Sequence, residues 1–428
     1  MQKSLTLSPI KYIEGELNLP GSKSISNRVL LLSAISTGST IIKNLLYSDD
    51  VKYMLEALSQ LGVLYHWDYN KSECIIEGNS GPFYMKKKIT LYLGNAGTAM
   101  RPLLAVLSIK NNKIILTGDK RMQERPIHHL VESLQLGGAN ISYLNNLEYP
   151  PIYVQGGFTG GKIVVDGSIS SQFLSALLMI APLAELDTTI IVKGVLVSKP
   201  YIDMTINLMK IFGISINIID NYKYFFIKGN QTYVSPKKYL VESDMSSATY
   251  FLAAAAIKGR FVKINGIKKN SIQGDVEFID VLKKMGVSIF WKKNSLICTK
   301  NNLSGITIDC NHIPDAAMTI AMLGLFADNF VYIKNIYNWR VKETDRLYAM
   351  TTELKKIGAT VQEGRDFIIV YPVKKFLQAT INTYNDHRIA MCFSLIALSE
   401  VPITLLNPTC VNKTFPSFFE KFNSICHF

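Results

Sequence analysis

Two segments near the start of the chain combine small residues with cations in a pattern that suits an anionic ligand. The first, Leu19–Arg28, reads LPGSKSISNR and carries Lys23 and Arg28 among serines and a glycine. The second, Leu93–Pro102, reads LGNAGTAMRP and contains two glycines, which permit close approach of a ligand to the backbone. The first segment lacks the spacing of a nucleotide-binding P-loop. Taken singly, each segment also fits an ordinary turn before a helix.

Similar polar clusters recur along the chain at a regular spacing. Five of them precede a large apolar residue and a glycine, at Leu61-Gly62, Leu136-Gly137, Phe212-Gly213, Met285-Gly286 and Ile357-Gly358. The glycines are 75, 76, 73 and 72 residues apart, which indicates a multiplied supersecondary unit. Twelve residues before them stand Asp50, Arg125, Tyr201, Gly274 and Arg346. A sixth copy without the glycine runs from Lys413 to Ile425.

Each copy predicts an amphipathic surface helix that begins at its polar cluster. The glycine ends the helix as a C′ residue, and a strand follows, for example at 287–291 and 359–362. The polar clusters therefore lie at helix N-termini, which attract anions. Asp49 and Asp50 are predicted to cap the first of these helices rather than to bind a metal.

A second, more apolar class of helix alternates with the surface helices. Its predicted members are 26–35, 99–107, 172–181, 247–257, 315–326 and 386–398. Helices that are apolar nearly all round are buried, so each unit has one buried helix, one surface helix and short strands. If all units point the same way, the polar turns that open their helices converge.

Composition limits the class of protein. A chain of 428 residues predicts two domains, and 48% apolar residues supply large cores. The N-terminus lacks the apolar region of a signal peptide, and no apolar run is long enough to span a membrane, so we expect a cytoplasmic protein. The net charge of +13 is interpreted as solvated surface, because no basic stripe interleaved with aromatic residues is present to bind nucleic acid. The six cysteines contain no C-x-x-C pair and are expected to be reduced.

Together the polar segments resemble the motifs of the 5-enolpyruvylshikimate-3-phosphate synthases. The resembling segments stand in the family's order and span nearly the whole chain: LPGSKSISNR, LGNAGTAMRP, RMQERPIHHL, DGSISSQF, VSKPYIDMT, NHIPDAAMT, NWRVKETDRL, YNDHRIAMCFSL and NKTFPSFF. The resemblance implies a transferase of the shikimate pathway that joins phosphoenolpyruvate to shikimate 3-phosphate and releases phosphate. It implies no cofactor and no metal, small-molecule substrates as the partners of a monomer, and inhibition by glyphosate.

The resemblance also implies the fold. It is α/β, with two similar domains, each of three βαβαββ repeat units, in the inside-out α/β barrel arrangement of enolpyruvyl transferases. The expected domains are 22–242 and 1–21 plus 243–428, with residues 1–21 completing the sixth unit and the active site in the cleft between the domains. If the cations of the motifs converge there, the protein without ligand is expected to hold strong like-charge repulsion.

The family's functional residues transfer to matching positions of this chain. The shikimate 3-phosphate ligands are then Lys23, Ser24, Arg28, Ser170, Ser171, Gln172, Ser198, Asp315, Asn338 and Lys342. The phosphoenolpyruvate ligands are Lys23, Asn95, Gly97, Arg125, Gln172, Arg346, Arg388 and Lys413. The reaction needs an acid and a base on opposite sides of one carbon. Asp315 matches the proton acceptor, and either Glu343 or Lys23 is the expected proton donor.

Three alternatives remain beside this interpretation. A UDP-N-acetylglucosamine enolpyruvyl transferase shares the fold but carries a reactive cysteine in a stretch that matches 117–121, where this chain has none. An RNA-end-processing or nucleic-acid-binding protein of similar units needs a nucleotide-reacting histidine, which no motif marks. A non-catalytic relic conflicts with the presence of every expected catalytic residue type. The pairs His128-His129 and Asp386-His387 lack a third residue at a convincing spacing for a metal site.

Overall fold

The computed structural model describes residues 3–428. Contacts divide the chain into two compact units. The first is Gly21–Val241, and the second joins the N-terminal segment that ends at Pro20 to Glu242–Phe428. The assignment of the two stretches as domains with a cleft between them stays a prediction. Among the described residues, no helix is both long and apolar enough to cross a membrane.

Helices and strands alternate throughout residues 3–428. The α-helices are α1 (Lys23–Ile35), α2 (Asp49–Gln60), α3 (Gly97–Leu107), α4 (His128–Leu136), α5 (Ser171–Ile180), α6 (Lys199–Ile211), α7 (Met245–Lys258), α8 (Phe278–Lys284), α9 (Ala317–Leu323), α10 (Arg346–Lys356), α11 (His387–Phe393) and α12 (Phe418–Asn423). The strands are β1 (Ser4–Leu7), β2 (Tyr12–Asn18), β3 (Ser39–Lys43), β4 (Tyr65–Asp68), β5 (Glu73–Glu77), β6 (Ile89–Tyr92), β7 (Ile114–Thr117), β8 (Asn140–Tyr143), β9 (Ile152–Gly156), β10 (Gly161–Asp166), β11 (Thr188–Lys193), β12 (Asn217–Ile219), β13 (Tyr224–Ile227), β14 (Lys238–Leu240), β15 (Gly259–Asn265), β16 (Ser288–Lys292), β17 (Ser295–Thr299), β18 (Ile306–Asp309), β19 (Val331–Lys334), β20 (Val361–Glu363), β21 (Ile368–Val370), β22 (Ala379–Asn382), β23 (Ile403–Leu406) and β24 (Cys426–His427).

The repeat predicted from the glycine spacing is confirmed by the sheets. Within residues 3–428 the strands form six small sheets, and three of them are built from one uninterrupted unit each: β6-β7-β9-β8, β10-β11-β13-β12 and β18-β19-β21-β20. In each of these sheets, counting the strands in chain order, the first strand runs parallel to the second. The fourth strand lies between the second and the third and pairs antiparallel with both. This is the βαβαββ order, because a parallel pair needs a crossover connection, which the buried helix supplies.

The other three sheets take a strand from a distant part of the chain. Strand β14 runs parallel to β3 and serves as the first strand of unit one. Strand β1 pairs antiparallel with β23, so the N-terminal segment does contribute to unit six as predicted. The same prediction is wrong for the main pairing of β2, which runs parallel to β15 as the first strand of unit four, although its first two residues also pair antiparallel with β24, directly after the sixth copy. Ile13 and Leu17 of β2 alternate into the hydrophobic core that contains α7, and this burial fixes the strand there.

The buried helix class is also confirmed, with different bounds. Helices α1 and α3 begin earlier than predicted, so that Lys23 and Gly97 are their first residues. Helix α9 is shorter than predicted, and Asp315 lies in the turn before it instead of being its first residue. The backbone N–H of Ala317 bonds the carbonyl of Ile313, so this turn already leads into the helix.

Glycine ends the surface helices through its freedom to adopt positive φ. Four of the predicted glycines are in the left-handed region: Gly62 (+89°), Gly213 (+89°), Gly286 (+93°) and Gly358 (+87°). The prediction is wrong by one residue in the second unit. Helix α4 ends at Leu136, Gly137 is its C-cap with φ −87°, and Gly138 takes the positive angle of +98°.

Candidate active site

A network of buried charges surrounds Arg346 in the unit that contains Glu242–Phe428. The side chain of Arg346 is 1% exposed and touches three carboxylates. Its Nε donates to Asp386 Oδ2 at 2.8 Å, its Nη2 to Glu343 Oε2 at 2.9 Å and its Nη1 to Asp315 Oδ1 at 3.0 Å. Charge-assisted hydrogen bonds of this kind are strong and directional, so they fix the guanidinium plane.

Asp315 lies between two arginines. Its Oδ1 accepts from Arg346, and its Oδ2 accepts from Arg388 Nη2 at 2.9 Å. Lys342 Nζ is 3.9 Å from Oδ1. Burial alone raises the pKa of a carboxyl group, but Arg388, Lys342 and Arg346 outweigh it and hold the pKa of Asp315 well below its usual range. Asp315 is therefore ionised at neutral pH in the protein without ligand.

Helix starts place these side chains. Arg346 is the first residue of α10, after the N-cap Asp345, whose Oδ1 accepts from the backbone N–H of Tyr348. Asp386 is the N-cap of α11 and accepts from the backbone N–H of Arg388 at 2.9 Å. The predicted placement of polar clusters at helix N-termini is thus confirmed for both arginines.

For two of the cations, the same contacts show pairing with carboxylates where like-charge repulsion was expected, and the expectation for the whole set stays a prediction. Arg346 and Arg388 share Asp315, and Arg346 has Glu343 and Asp386 as further partners. Arg346 and Arg388 are thus neutralised inside the compact unit that contains Glu242–Phe428, as expected for charges that are costly to bury without partners. An anionic ligand must therefore compete with internal carboxylates for these arginines.

Lys23 is paired in the unit Gly21–Val241. Its Nζ is 3.0 Å from Asp50 Oδ2, and the Asp50 side chain is 2% exposed. Asp49 and Asp50 are predicted to cap the first surface helix; Ser48 is the N-cap instead, and the two aspartates lie in the first turn of α2, where the helix dipole favours acidic residues. The Asp50 carboxylate reaches out of its own helix to the first residue of α1.

Asn95, Gly97 and Arg125 lie together in the second unit of the repeat. Arg125 Nη1 donates to Asn95 Oδ1 at 2.9 Å and to the Asn95 carbonyl at 3.3 Å. A Cβ added to Gly97 would lie 2.8 Å from Arg101 Nη1 and 3.0 Å from Arg125 Nη2. The glycine therefore leaves the space that two guanidinium groups occupy at the start of α3.

Arg28 is held by α5 and α6. Its Nε donates to Thr205 Oγ1 at 2.8 Å, its Nη2 to Ser175 Oγ at 3.3 Å, and its Nη1 to the carbonyl of Ser24 at 3.0 Å. Burial lowers the pKa of Arg28 to about 10, so the side chain still carries a charge at neutral pH.

The sequence of the whole chain places it in a known family. The model of the family described as EPSP synthase (3-phosphoshikimate 1-carboxyvinyltransferase) matches residues 7–422. The chain belongs to the EPSP synthase family. A 3-phosphoshikimate 1-carboxyvinyltransferase from Buchnera aphidicola subsp. Cinara cedri (strain Cc) is 72% identical over 428 residues, which are 100% of this chain and 98% of the relative. One from Escherichia coli (strain SMS-3-5 / SECEC) is 59% identical over 419 residues and 98% of each chain.

Solved structures agree with this placement in the EPSP synthase family. An EPSP synthase from Acinetobacter baumannii is similar with a TM-score of 0.82 and 28% identity, over 100% of this chain and 98% of the other. The enolpyruvyl transferase NikO from Streptomyces tendae has a TM-score of 0.80 over 100% of this chain and 98% of its own, and at 15% identity it shows the fold alone. The predicted α/β enolpyruvyl transferase fold is confirmed.

The remaining residues that match EPSP synthase motifs lie at helix starts and turns. Ser170 is the N-cap of α5, and its Oγ accepts from the backbone N–H of Gln172 at 3.2 Å; Ser171 is the first residue of that helix. Ser198 is the N-cap of α6 with a positive φ of +54°. Asn338 and Lys413 lie in 3-10 turns of the compact unit that contains Glu242–Phe428.

Two partners of the arginines were missed in the sequence. Asp386 is predicted as the first residue of a buried helix and was also weighed as part of a metal site; it is instead the N-cap of α11, and its role as partner of Arg346 was not predicted. Tyr250 of α7 accepts from Arg388 Nη1 at 3.1 Å across 138 residues of sequence, and no local pattern predicts such a pair. In residues 3–428, no group of three or more His, Cys, Asp or Glu side chains is placed to hold a metal ion.

Proposed function

We propose that the charge network around Asp315 supplies the reactive groups of an EPSP synthase. The chain transfers the enolpyruvyl group of phosphoenolpyruvate to the 5-hydroxyl of shikimate 3-phosphate, and it releases phosphate in the shikimate pathway to the aromatic amino acids. The observation that carries the proposal is the position of Asp315, whose two oxygens each accept from a different arginine.

Without substrate, Asp315 acts as an internal anion for Arg346 and Arg388. A carboxylate with so low a pKa is a poor base for a hydroxyl proton. When the carboxylate and phosphate of phosphoenolpyruvate bind these arginines, two things happen to Asp315. It loses part of its cationic environment and gains negative neighbours, and both changes raise its pKa. Substrate binding thus prepares the base that the reaction needs.

The reaction then proceeds by balanced proton transfers. Glu343 or Lys23 donates a proton to the methylene carbon of phosphoenolpyruvate, and the carbon that bears the phosphate becomes electrophilic. The 5-hydroxyl oxygen attacks this carbon while Asp315 accepts the hydroxyl proton. In the second stage these transfers reverse: the group that gave the proton takes one back from the new methyl group, the C–H electrons re-form the double bond, and the bond to the phosphate oxygen breaks as Asp315 returns its proton to the leaving phosphate. The cations stabilise the charge of the phosphate that leaves.

The proposed ligands follow the family's motifs. For shikimate 3-phosphate they are Lys23, Ser24, Arg28, Ser170, Ser171, Gln172, Ser198, Asp315, Asn338 and Lys342. For phosphoenolpyruvate they are Lys23, Asn95, Gly97, Arg125, Gln172, Arg346, Arg388 and Lys413. The local contacts of Arg125 with Asn95, and of Arg346 and Arg388 with Asp315, support these sets. We further propose that the protein acts as a monomer in the cytoplasm.

Phosphate release from phosphoenolpyruvate, measured with and without shikimate 3-phosphate, tests the proposal. Asp315→Asn keeps the shape of the side chain but removes the base, and a fall in kcat of about 10²–10⁴ is expected for loss of a positioned base. Asp309→Asn, which changes an exposed carboxylate on β18, is the matched control and should keep its turnover. Near-normal turnover of Asp315→Asn would show that another group accepts the proton.

A further inference from the structure

The turn between β22 and α11 holds two residues in an unfavourable conformation. Tyr384 and Asn385 have φ of +52° and +54°, in the left-handed region where a Cβ is crowded. Tyr384 is the second residue after β22, and the second residue after β6 in another unit is Gly94, with φ +50°. Both turns need a positive φ at this position, but a tyrosine stands where the other repeat unit uses a glycine, and only in the turn after β22 is the next residue, Asn385, also in the left-handed region. Contacts from outside the turn must hold it.

Glu353 of α10 provides such contacts. Its side chain is fully buried, at 0% exposure. Its Oε1 accepts from the Tyr384 hydroxyl at 2.8 Å, and its Oε2 accepts from the backbone N–H of Asn382 at 3.1 Å. Lys356 Nζ, on the same helix, is 2.7 Å from Oε2 and balances the charge. One carboxylate therefore ties the end of β22 to the strained turn.

The same helix also holds the far end of the turn. Arg346 lies seven residues before Glu353 in the sequence, which is two helical turns and thus the same face of α10. It donates to Asp386, the residue that follows Asn385 and caps α11. Helix α10 therefore contacts the turn at both ends, through Glu353 at the first and Arg346 at the second. Arg388 lies in α11, two residues after Asp386.

We propose that Glu353 is a positioning residue for Arg388. By holding Tyr384 in the left-handed region, Glu353 sets the angle at which α11 begins, and the Arg388 guanidinium is thereby held against Asp315. The inference rests on the proposed function, which assigns Arg388 to phosphoenolpyruvate. Glu353 touches neither Arg388 nor Asp315 in the contacts described above, so it acts through the turn.

The test separates positioning from general stability. Glu353→Gln keeps the size of the side chain but removes its charge and one of its two acceptor oxygens. The amide can then no longer accept from Tyr384 with one oxygen and from Asn382 with the other. We expect KM for phosphoenolpyruvate to rise about tenfold, as for loss of an oriented ligand. The dissociation constant of shikimate 3-phosphate should change less than about twofold, since most of its proposed ligands lie on other elements. A purely structural residue would lower the yield or the melting temperature without separating the two substrates.

Two further variants keep the outcome decisive. Lys355→Met removes an exposed cation from the same helical turn but leaves the Glu353–Lys356 pair in place, and it should leave both substrate constants unchanged. Tyr384→Phe removes a single hydrogen bond and keeps the ring, and it should raise KM for phosphoenolpyruvate in the same direction as Glu353→Gln. If Glu353→Gln fails to fold, Tyr384→Phe decides, and an unchanged KM in it overturns the inference.

Arg388→Met distinguishes this inference from the proposed function. A normal KM for phosphoenolpyruvate in Arg388→Met would reject the assignment of Arg388, and the role of Glu353 with it. A raised KM in Arg388→Met combined with unchanged or equally changed constants in Glu353→Gln would reject the inference alone. A raised KM in both variants, with Lys355→Met normal, supports it.

Discussion

Lys23 and Asp50 form an ion pair between the first residue of α1 and the first turn of α2, with Nζ 3.0 Å from Oδ2. The carboxylate is almost completely buried, and the ammonium group is 13% exposed. A buried charge that has lost its partner is strongly unfavourable, so the pair restrains the long lysine side chain. Because a lysine has three donors, it can keep Asp50 and still bind an anionic substrate.

Asp50→Asn should therefore lower kcat/KM for both substrates by about tenfold, because one charged contact that orients a ligand group is worth on the order of 1–3 kcal/mol. Asp49→Asn removes the same charge from the same turn of α2 and serves as the control. In a Lys23→Met background, Asp50→Asn should have little further effect. Steady-state kinetics of the four variants measure this, and equal losses in Asp49→Asn and Asp50→Asn would contradict it.

The raised pKa of Asp275 leads us to expect that stability depends on pH. It is buried, and its Oδ2 accepts from the Ser246 hydroxyl. Burial first, and then the charge of Asp315, raise the pKa of Asp275 from 3.8 to about 7. Between these pH values Asp275 holds a proton in the folded protein but not in the unfolded chain, so the contribution of Asp275 to stability falls as pH rises through this window, by about 1.4 kcal/mol per pH unit at most. Asp315 has a lowered pKa and titrates below the window.

Asp275→Asn still accepts a hydrogen bond but does not ionise. Its free energy of unfolding should rise relative to the unchanged protein as pH increases from about 4 to about 7, and the difference should then stay level. Urea unfolding at several pH values measures it. Asp280→Asn, at a position whose side chain is 69% exposed, should give a curve parallel to that of the unchanged protein. A parallel curve for Asp275→Asn would mean that Asp275 is ionised throughout.

Removal of β1 should expose one edge of the sheet of unit six. Strand β23 lies between β1 and β22, and the register places Ser4 opposite Leu406. Deletion of residues 1–8 leaves the N–H and C=O groups on one side of β23 without partners. Amide hydrogen exchange should speed up in a peptide that covers 403–406 and remain unchanged in one that covers 188–193, in β11. If the deletion leaves the exchange rate of the 403–406 peptide as unchanged as that of the 188–193 peptide, β1 does not protect β23.

The sequence predicts elements far better than contacts between them. The glycine spacing placed Arg346 at a helix start, since a C′ glycine and a polar cluster are both local signals. The same spacing misplaced the end of α4 by one residue, because two adjacent glycines carry equal local information. The contact of Arg388 with Tyr250 joins residues far apart in the chain and depends on how buried helices pack. Because the units of a repeat are alike, the sequence does not show which unit a terminal strand completes. Strand β2 pairs with β15 of the fourth unit, where its apolar residues are buried.

We expect a methyl group at Gly97 to affect the binding of phosphoenolpyruvate and of glyphosate to different degrees. A methyl group at this position would lie within 3.2 Å of the guanidinium nitrogens of Arg101 and Arg125, so these side chains must shift. We expect phosphoenolpyruvate to tolerate part of such a shift and glyphosate to tolerate less, because glyphosate is longer and the family resemblance places it at the same site. Forcing an added methyl into a packed site costs about 1–3 kcal/mol.

We expect Gly97→Ala to raise the inhibition constant of glyphosate by a larger factor than KM for phosphoenolpyruvate. Paired inhibition and steady-state measurements on the same preparation give both factors. Ala96→Gly, which removes a buried methyl from the preceding residue, controls for changes in the backbone of the turn. If both constants rise by the same factor in Gly97→Ala, the methyl acts only by moving Arg125, because a displaced cation weakens both anions alike. If only the glyphosate constant rises, the methyl itself meets the longer ligand, and Gly97 lies against the part of the site that phosphoenolpyruvate leaves empty.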